Sequence, residues 1–232
     1  MSSKSSSKPG LIAVQASTQA LFDLASNPEY LKPLREEVEE VTEREGWTKA
    51  GLDQMYKLDS FVKESQRLHP VGIRKLVRFN DNDLCSYSIF QVMQNRKALV
   101  DYTFSDGSTV PAGAVVAVSS SSLHLDPDIY EDPLKFNGFR FVQMRERAVL
   151  NGESDKKFDM VTNNVEFVAF GQGRHACPGR FFASAEIKIL LAYIVTTYDV
   201  KLGDGEVRPR DLTYLSSNRP DPTAKVYFRR RQ

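Results

Sequence analysis

Apolar residues recur at helical spacing in four stretches of the chain, which are Leu11–Ala25, Glu29–Glu45, Leu58–His69 and Phe181–Tyr198. The second stretch combines apolar positions with many acidic ones, and in the third the apolar positions lie three and four residues apart. Such spacing puts the apolar side chains on one face of a helix. Asn27 and Pro28 separate the first two stretches and are typical of a helix start, with Asn as the cap. The pattern therefore predicts four long helices.

Shorter elements are expected between the helices. Asp101–Phe104 and Val110–Val118 flank the turn-forming segment Ser105–Ser108, which predicts a β-hairpin. Val226–Phe228 has the composition of a closing strand, and Ser119–Leu125 predicts a short helix. Trp47–Met55 is expected to be a linker with a turn. Val142–Asn164 is expected to be a charged, mobile loop. The fold class predicted from these elements is mainly α with a small β-sheet.

Composition indicates a globular chain without a strong charge. Its 232 residues are 41% hydrophobic, and 31 basic residues against 30 acidic ones give a net charge of +1. This balance offers no electrostatic basis for binding nucleic acid, and Arg229–Arg231 is interpreted as a solvated tail. The two cysteines, Cys85 and Cys177, form no Cys-x-x-Cys pattern. Neither a disulfide framework nor a zinc site is therefore expected, and a reducing compartment is indicated.

The start of the chain is polar. Met1–Gly10 is rich in serine and lacks the apolar centre of a signal peptide, so we expect a disordered leader over residues 1–10. The longest apolar run, Ile187–Val195, contains Lys188 and is shorter than the ~20 residues of a membrane-spanning helix. The sequence thus predicts no membrane anchor, which leaves the location cytoplasmic or uncertain.

Candidate chemistry centres on the segment Phe170–Gly179. Gly171 and Gly173 permit a tight turn and a close approach of the main chain to a flat ligand. Cys177 lies where the helix predicted over Phe181–Tyr198 begins, and a helix N-terminus favours the thiolate, which is the form that ligates iron. The alternative is that Cys177 is a buried structural cysteine, because free cysteines are among the most buried residues.

The frame Phe-x-x-Gly-x-His-x-Cys-x-Gly of this segment resembles the haem-binding loop of cytochromes P450. The resemblance implies that the Cys177 thiolate is the proximal ligand of the iron of haem b. It also implies that Phe170 packs against the haem beside the sulfur and that His175 reaches a haem propionate. The other expected cofactor contacts are Gly171, Gly173 and Gly179. The longer segment Ala169–Ala183 is similar to the fungal microsomal branch, which oxidises terpenoids and other secondary metabolites.

A second motif supports the same resemblance. Glu64-Ser65-Gln66-Arg67 resembles the P450 Glu-x-x-Arg motif, and Arg140 within Phe136–Phe141 matches the arginine that partners it. The resemblance implies that a buried Glu64 is shared between Arg67 and Arg140 and that the cluster pins the Cys177 loop to the core, a structural role. The alternative is a solvated surface pair, which contributes a few tenths of a kcal/mol.

The chain also departs from the family. Microsomal P450s begin with an apolar anchor in the endoplasmic reticulum membrane and are about twice this length, so residues 11–232 are interpreted as a truncated P450-like domain, the C-terminal half of the fold. On the helix that crosses the haem in the family, the oxygen-activating motif is degraded at Ala13–Ser17. Ser17 or Thr18 offers a hydroxyl there, but a solvent-facing or back-bonded residue is the favoured interpretation. No oxygen-activating residue is assigned.

Residues 73–91 form an atypical insertion with a polar centre, Asn80–Asp83, and no clear strand alternation. One explanation is a surface insertion, which loops tolerate at low cost. The other is a retained intron, because Gly72-Ile73 can be encoded with a splice donor and Phe90-Gln91 with an acceptor. Both explanations stay open.

The resemblance implies a haem-thiolate monooxygenase that inserts one oxygen atom from O2 into a hydrophobic small molecule such as a terpenoid. Electrons would come from a separate NADPH-dependent P450 reductase, since the chain has no flavin or nicotinamide motif. One rival function is that of a truncated P450-like fragment without turnover. A second rival is a redox or gas-sensing haem module.

Overall fold

A computed structural model describes residues 9–70, 73–78, 87–214 and 217–232 of the chain. Its helices are α1 (Pro9–Ser26), α2 (Leu31–Glu45), α3 (Lys49–Gln54), α4 (Tyr56–Leu68), α5 (Ser120–His124), α6 (Arg140–Leu150) and α7 (Arg180–Thr197). Short 3-10 turns cover Pro28–Tyr30, Asp155–Phe158 and Gly173–His175. The four long helices predicted from hydrophobic spacing are present as α1, α2, α4 and α7.

The strands are β1 (Ile73–Arg78), β2 (Tyr87–Lys97), β3 (Tyr102–Thr103), β4 (Thr109–Val110), β5 (Val115–Ser119), β6 (Tyr198–Lys201), β7 (Leu212–Tyr214), β8 (Ser217–Arg219) and β9 (Tyr227–Arg230). Five of them form one sheet in the order β5-β2-β1-β8-β7, and two separate ladders pair β3 with β4 and β6 with β9. All of these pairs are antiparallel. The prediction of a mainly α fold with small sheets is confirmed.

The main core lies where α1, α2, α4 and α7 pack together. Each helix contributes fully buried apolar side chains to it, among them Leu24, Leu34, Phe61 and Val195. A smaller aromatic core lies beside α6 and joins Tyr130, Phe141, Phe158 and Phe167. The segment that carries Cys177 leaves this second core at Phe167 and leads into α7, which belongs to the first.

Two segments predicted to lack regular structure are helical. Trp47–Met55 contains α3, which begins after Thr48 because the Thr48 hydroxyl accepts a hydrogen bond from the Gly51 N–H at 3.1 Å. Within Val142–Asn164, predicted to be a mobile loop, lie most of α6 and a 3-10 turn. Arg145 of α6 holds this region together by pairing with Asp155 at 2.8 Å and also with Asp159. Its abundance of charge thus reflects local ion pairs.

Smaller corrections concern single positions. Asn27 precedes the Pro28 turn as predicted, but its side chain donates to the Asp23 carbonyl at 2.7 Å and does not cap the turn. The hairpin pairs Tyr102–Thr103 with Thr109–Val110 only, since a turn at residues 111–113 separates β4 from β5. Helix α1 begins at Pro9, so the last two leader residues are helical. Residues 1–8 lie outside the described residues, and their disorder stays a prediction.

The expectation that Ile73–Gln91 lacks strands is wrong. Ile73–Arg78 pairs with Tyr87–Val92 in an antiparallel ladder, and β1 also meets β8 through Ile73 and Ser217. The main-chain hydrogen bonds form these strands although their sequence does not alternate between apolar and polar residues, which is the pattern that the sequence argument required. Residues 79–86, with the polar centre at Asn80–Asp83, lie outside the described residues. Whether the segment is an insertion or a retained intron stays a prediction.

Candidate functional site

The segment Phe170–Gly179 forms a compact loop before α7. The Cys177 N–H donates to the Phe170 carbonyl at 2.7 Å, which closes the loop, and the Ala176 N–H donates to Gly173 at 3.0 Å. Gly171 and Gly173 have φ angles of 72° and 64°, in the left-handed region that side chains disfavour. These two positions therefore require glycine for the turn itself, whatever ligand approaches it.

Cys177 is exposed and free. Gly179 occupies the N-cap position of α7, and a Cβ added to it would lie 3.9 Å from the Cys177 Sγ. The sulfur therefore lies beside the N-terminus of a long helix, where the dipole favours negative charge. The alternative of a buried structural cysteine does not hold, because the thiol faces solvent.

The remaining loop residues divide between core and surface. Phe170 is half-buried and packs against the main core. Gly173, Arg174 and His175 are exposed, as are Pro178 and Gly179. Cys177 and both basic residues of the loop are thus accessible to solvent.

Two arginines outside the predicted set hold the loop. Arg180 donates through Nη1 to the Cys177 carbonyl at 3.0 Å and through Nε to the Val161 carbonyl at 3.2 Å. Arg96, at the end of β2, donates to the Gln172 carbonyl at 3.2 Å. The position of Arg180, between Gly179 and the helix predicted over Phe181–Tyr198, was an available signal. Arg96 was not accessible to sequence reasoning, because its contact spans 76 residues.

Glu64, Arg67 and Arg140 are brought together and buried. Arg67 forms a bidentate pair with the Glu64 carboxylate, with both N–O distances at 2.8 Å. Arg140 Nε lies 3.1 and 3.2 Å from the two Glu64 oxygens, and the Asn137 N–H donates to Oε1 at 3.0 Å. The surface-pair alternative does not hold, since the side chains of Glu64 and Arg67 are 0% exposed.

The degraded motif on α1 offers no free hydroxyl at Thr18. Thr18 Oγ1 donates to the Val14 carbonyl at 2.8 Å, the back-bonded arrangement that helical threonines commonly adopt. Ser17 is buried, whereas Val14 is exposed. The oxygen-activating position therefore stays unassigned.

Comparisons with known proteins identify the family. The family model described as cytochrome P450 matches residues 15–89 and 86–228. The chain is 45% identical over 216 residues to cytochrome P450 monooxygenase 151 of Postia placenta and 39% identical over 216 residues to cytochrome P450 monooxygenase 1 of Gibberella fujikuroi. The chain belongs to the cytochrome P450 family.

These alignments cover 93% of the P450 chain but only 39% and 43% of the two relatives. The chain thus spans about two fifths of their length. Among solved structures it is similar to the cyanobacterial P450 CYP120A1, solved with retinoic acid bound. The TM-score is 0.68 at 24% identity, over 94% of this chain and 42% of that one. This likeness shows the P450 fold over the matched residues.

The residues present fit the haem that the family implies. A single exposed thiol at a helix N-terminus is the donor that a haem-thiolate centre uses, and the positive-φ glycines leave the loop without side chains at two positions. Within the residues that the structure describes, no cluster of three or more His, Cys, Asp or Glu is placed to hold a metal ion. In that same part of the chain, no helix is long and apolar enough to cross a membrane.

Two cavities in the described part of the chain lie away from the loop. The larger, about 840 Å³, opens beside the end of α4 and the 201–208 segment, where His69, Lys201 and Arg208 line it. The smaller, about 430 Å³, lies beside α6 and is lined by Tyr30, Arg140 and Arg147. Neither is lined by Cys177, so neither is a candidate for the ligand chamber of the P450.

Proposed function

We propose that this P450 chain binds haem b through Cys177 and supplies the haem-ligating part of a monooxygenase. The observation that carries the proposal is the exposed Cys177 thiol beside the N-terminus of α7, held by a loop with two positive-φ glycines. The 37–45% identity to fungal proteins named cytochrome P450 monooxygenases supports the reaction type.

Each loop residue has a proposed part. Cys177 would ligate the haem iron, and Gly171, Gly173 and Gly179 would allow the main chain to approach the haem closely. Phe170, packed against the main core, would contact the haem, and His175, exposed on the same loop, would pair with a propionate. The haem, when bound, supplies the chemistry by which one oxygen atom of O2 enters a C–H bond of the substrate.

Glu64, Arg67 and Arg140 have a proposed structural part. They are buried, both arginines pair with Glu64, and the arginines donate to carbonyls of His124 and of residues 131–135, so they would fix these segments of the core beside the Cys177 loop. None of the three touches the loop directly in the contacts that the structure gives.

The partners follow from the reaction type. A separate NADPH-dependent P450 reductase would supply electrons, and the substrate would be a hydrophobic small molecule. A terpenoid or another secondary metabolite is the proposed class, on the resemblance of Ala169–Ala183 to the fungal microsomal branch. The names of these relatives specify a monooxygenase and no substrate.

A second candidate, a P450-like fragment without turnover, has an observation in its favour. Helix α7 is apolar on both sides: Ile187, Leu191 and Val195 are buried, while its opposite face exposes Phe182 at 75% and Tyr193 at 53%. A helix that is apolar all round is normally buried. An exposed apolar face on α7 supports this candidate, because it leaves uncovered a surface that a P450 helix of this kind would bury.

The test is the absorption spectrum of the purified chain with added haem, reduced and exposed to carbon monoxide. Thiolate ligation predicts a red-shifted Soret band that is lost in Cys177→Ser and retained in the matched control Cys85→Ser. No bound haem, or a band that survives Cys177→Ser, would reject ligation by Cys177. A red-shifted band without product formation, when a reductase is supplied, would select the fragment without turnover.

A further inference from the structure

His124, at the end of α5, is completely buried, and main-chain groups from two different segments contact its two ring nitrogens. Nδ1 lies 3.2 Å from the carbonyl oxygen of Arg67, at the end of α4. Nε2 lies 3.2 Å from the amide nitrogen of Val168, just before the cysteine loop. A carbonyl must accept and an amide must donate, so the ring is the neutral tautomer with its proton on Nδ1.

The contact between His124 and Arg67 is reciprocal. Arg67 Nη1 donates to the main-chain oxygen of His124 at 2.6 Å, while the His124 ring donates to the main-chain oxygen of Arg67. The imidazole also stacks on Phe167, with ring centroids 5.0 Å apart and an interplanar angle of 13°. Position and orientation of the ring are therefore fixed on three sides, and its Nε2 lone pair points at one amide.

From Val168 a short path of hydrogen bonds leads to the cysteine. The Val168 carbonyl accepts the Gly171 N–H at 2.9 Å, and the carbonyl of the intervening Phe170 accepts the Cys177 N–H at 2.7 Å. Gly171 is also one of the positive-φ positions of the turn. The Val168 peptide is thus one point at which the cysteine loop is attached to the buried interior, and His124 accepts a hydrogen bond from its N–H.

We propose that His124 is a positioning residue for the cysteine loop: by accepting the Val168 N–H it fixes the start of the loop and thereby the placement of the Cys177 sulfur. The inference rests on the proposed function for its link to haem. It would connect the Glu64–Arg67–Arg140 cluster to the loop through Arg67, a connection that none of the three provides by direct contact.

The protonation state of His124 agrees with this arrangement. Burial lowers the pKa of His124 to about 4, and the positive charges of Arg67 and Lys63, which face the ring, also oppose protonation. The hydrogen bond to the Arg67 carbonyl raises the pKa; its influence is smaller than that of burial but larger than that of either positive charge. Nε2 therefore keeps its lone pair, and remains an acceptor for Val168, at neutral pH.

Three substitutions separate the two contacts of the ring. The amide of His124→Gln reaches the position of Nε2 and can still accept the Val168 N–H. The shorter His124→Asn reaches only the position of Nδ1 and keeps the Arg67 contact. His124→Phe retains the stacking on Phe167 and loses both hydrogen bonds. His69→Gln is the matched control, because His69 is largely buried at the end of α4 but bonds Asp211, remote from the loop.

Amide hydrogen exchange of the haem-free chain is the first measurement. Exchange at Val168, Gly171 and Cys177 should be about tenfold faster in His124→Asn and His124→Phe than in His124→Gln, the ratio expected for one buried hydrogen bond. The wild type and His69→Gln should stay slow at these amides. Equal exchange at these amides in the Gln and Asn variants, or in the Gln and Phe variants if Asn does not fold, would overturn the inference.

The second measurement is the reduced, carbon monoxide-bound spectrum of the same variants with haem. The fraction of the protein that shows the red-shifted Soret band should fall in the order wild type, His124→Gln, His124→Asn. A purely stabilising role of His124 requires this fraction to follow the ranking of the melting temperatures, whereas a positioning role predicts that it does not. A fall that tracks melting temperature would overturn a positioning role. If the wild type shows no thiolate band, the proposed haem function fails, while the exchange experiment still decides whether His124 holds the loop.

Discussion

Lys188 of α7 and Asp59 of α4 form a buried ion pair, with Nζ and Oδ1 2.9 Å apart. Both ends are satisfied further, since Lys188 donates to the Leu52 carbonyl at 2.8 Å and Asp59 accepts the Met160 N–H at 2.7 Å. The pair ties the helix that follows the cysteine to the centre of the helical core. The lysine near the start of the apolar run Ile187–Val195 thus forms a buried cross-link between two helices.

We expect the two partners to be strongly coupled. Lys188→Met leaves a buried carboxylate and Asp59→Asn leaves a buried ammonium, so each should cost about 3–5 kcal/mol of unfolding free energy. The double variant should cost clearly less than the sum, because it leaves no uncompensated charge. Urea unfolding of all four proteins measures the coupling, and strictly additive losses would contradict it.

The sequence predicted the parts of this fold that depend on local pattern. Helix α4 follows from the spacing of Leu58 and Phe61, and the positive-φ turn from Gly171 and Gly173. It did not predict α6, because the charges of Arg145 and its acidic partners looked like those of a solvated loop. Pairings across long separations, such as Lys188 with Asp59, left no local signal.

The candidate site divides in the same way. Cys177 and its glycines are adjacent in sequence, and short motifs made them recognisable. The role of His124 depends on Arg67, 57 residues earlier, and on Val168, 44 residues later. Nothing in the residues beside His124 distinguishes a ring that holds an amide from any other buried histidine.

Lys63 should make the protein more stable in mild alkali. Burial lowers the pKa of Lys63 to about 8, although the carboxylates of Asp59 and Asp159 oppose the shift. Between pH 8 and 10.5 the unfolded chain keeps this proton and the folded chain loses it, so unfolding free energy should rise with pH by about 3 kcal/mol from this group. Below pH 8 Lys63 does not make the unfolding free energy depend on pH.

The measurement is urea unfolding of wild type and Lys63→Met at intervals from pH 7 to 10.5. Other lysines and tyrosines titrate in both proteins, so the difference between the two curves isolates Lys63. The unfolding free energy of the wild type, relative to that of Lys63→Met, should increase above pH 8. Parallel curves would show that Lys63 has an ordinary pKa.

His124 should make the protein sensitive to acid. Its pKa is lowered to about 4 by burial, whereas the unfolded histidine titrates near 6.5. As the pH falls from 6.5 to 4, the unfolded chain takes up a proton that the folded chain does not, so stability should fall by about 3 kcal/mol and then become independent of this group. His124→Phe, unfolded in urea at the same pH values, should lack this component. An acid loss of equal size in His124→Phe would assign it to other groups.

The stability of the protein should also depend strongly on the Glu64 cluster. The Glu64 carboxylate accepts hydrogen bonds from Arg67, Arg140 and the Asn137 N–H. The two arginines also donate to main-chain carbonyls, including those of Pro133 and Lys135. Glu64→Gln keeps the size and one acceptor but leaves two buried guanidinium groups without a counter-charge. Its expected cost is about 3–5 kcal/mol in urea unfolding.

Glu36→Gln is the matched control, because Glu36 forms an exposed pair with Lys32, at side-chain exposures of 59% and 83%. It should change stability by about 0.5 kcal/mol or less. Arg140→Lys is expected to fall between the two, since the lysine keeps the charge but contacts Glu64 through one nitrogen and loses the other contacts of the guanidinium. Equal losses in Glu64→Gln and Glu36→Gln would mean that the cluster is solvated in the protein. A loss in Arg140→Lys as large as that in Glu64→Gln would mean that the fork geometry of Arg140, more than its charge, fixes the turn from Glu131 to Lys135.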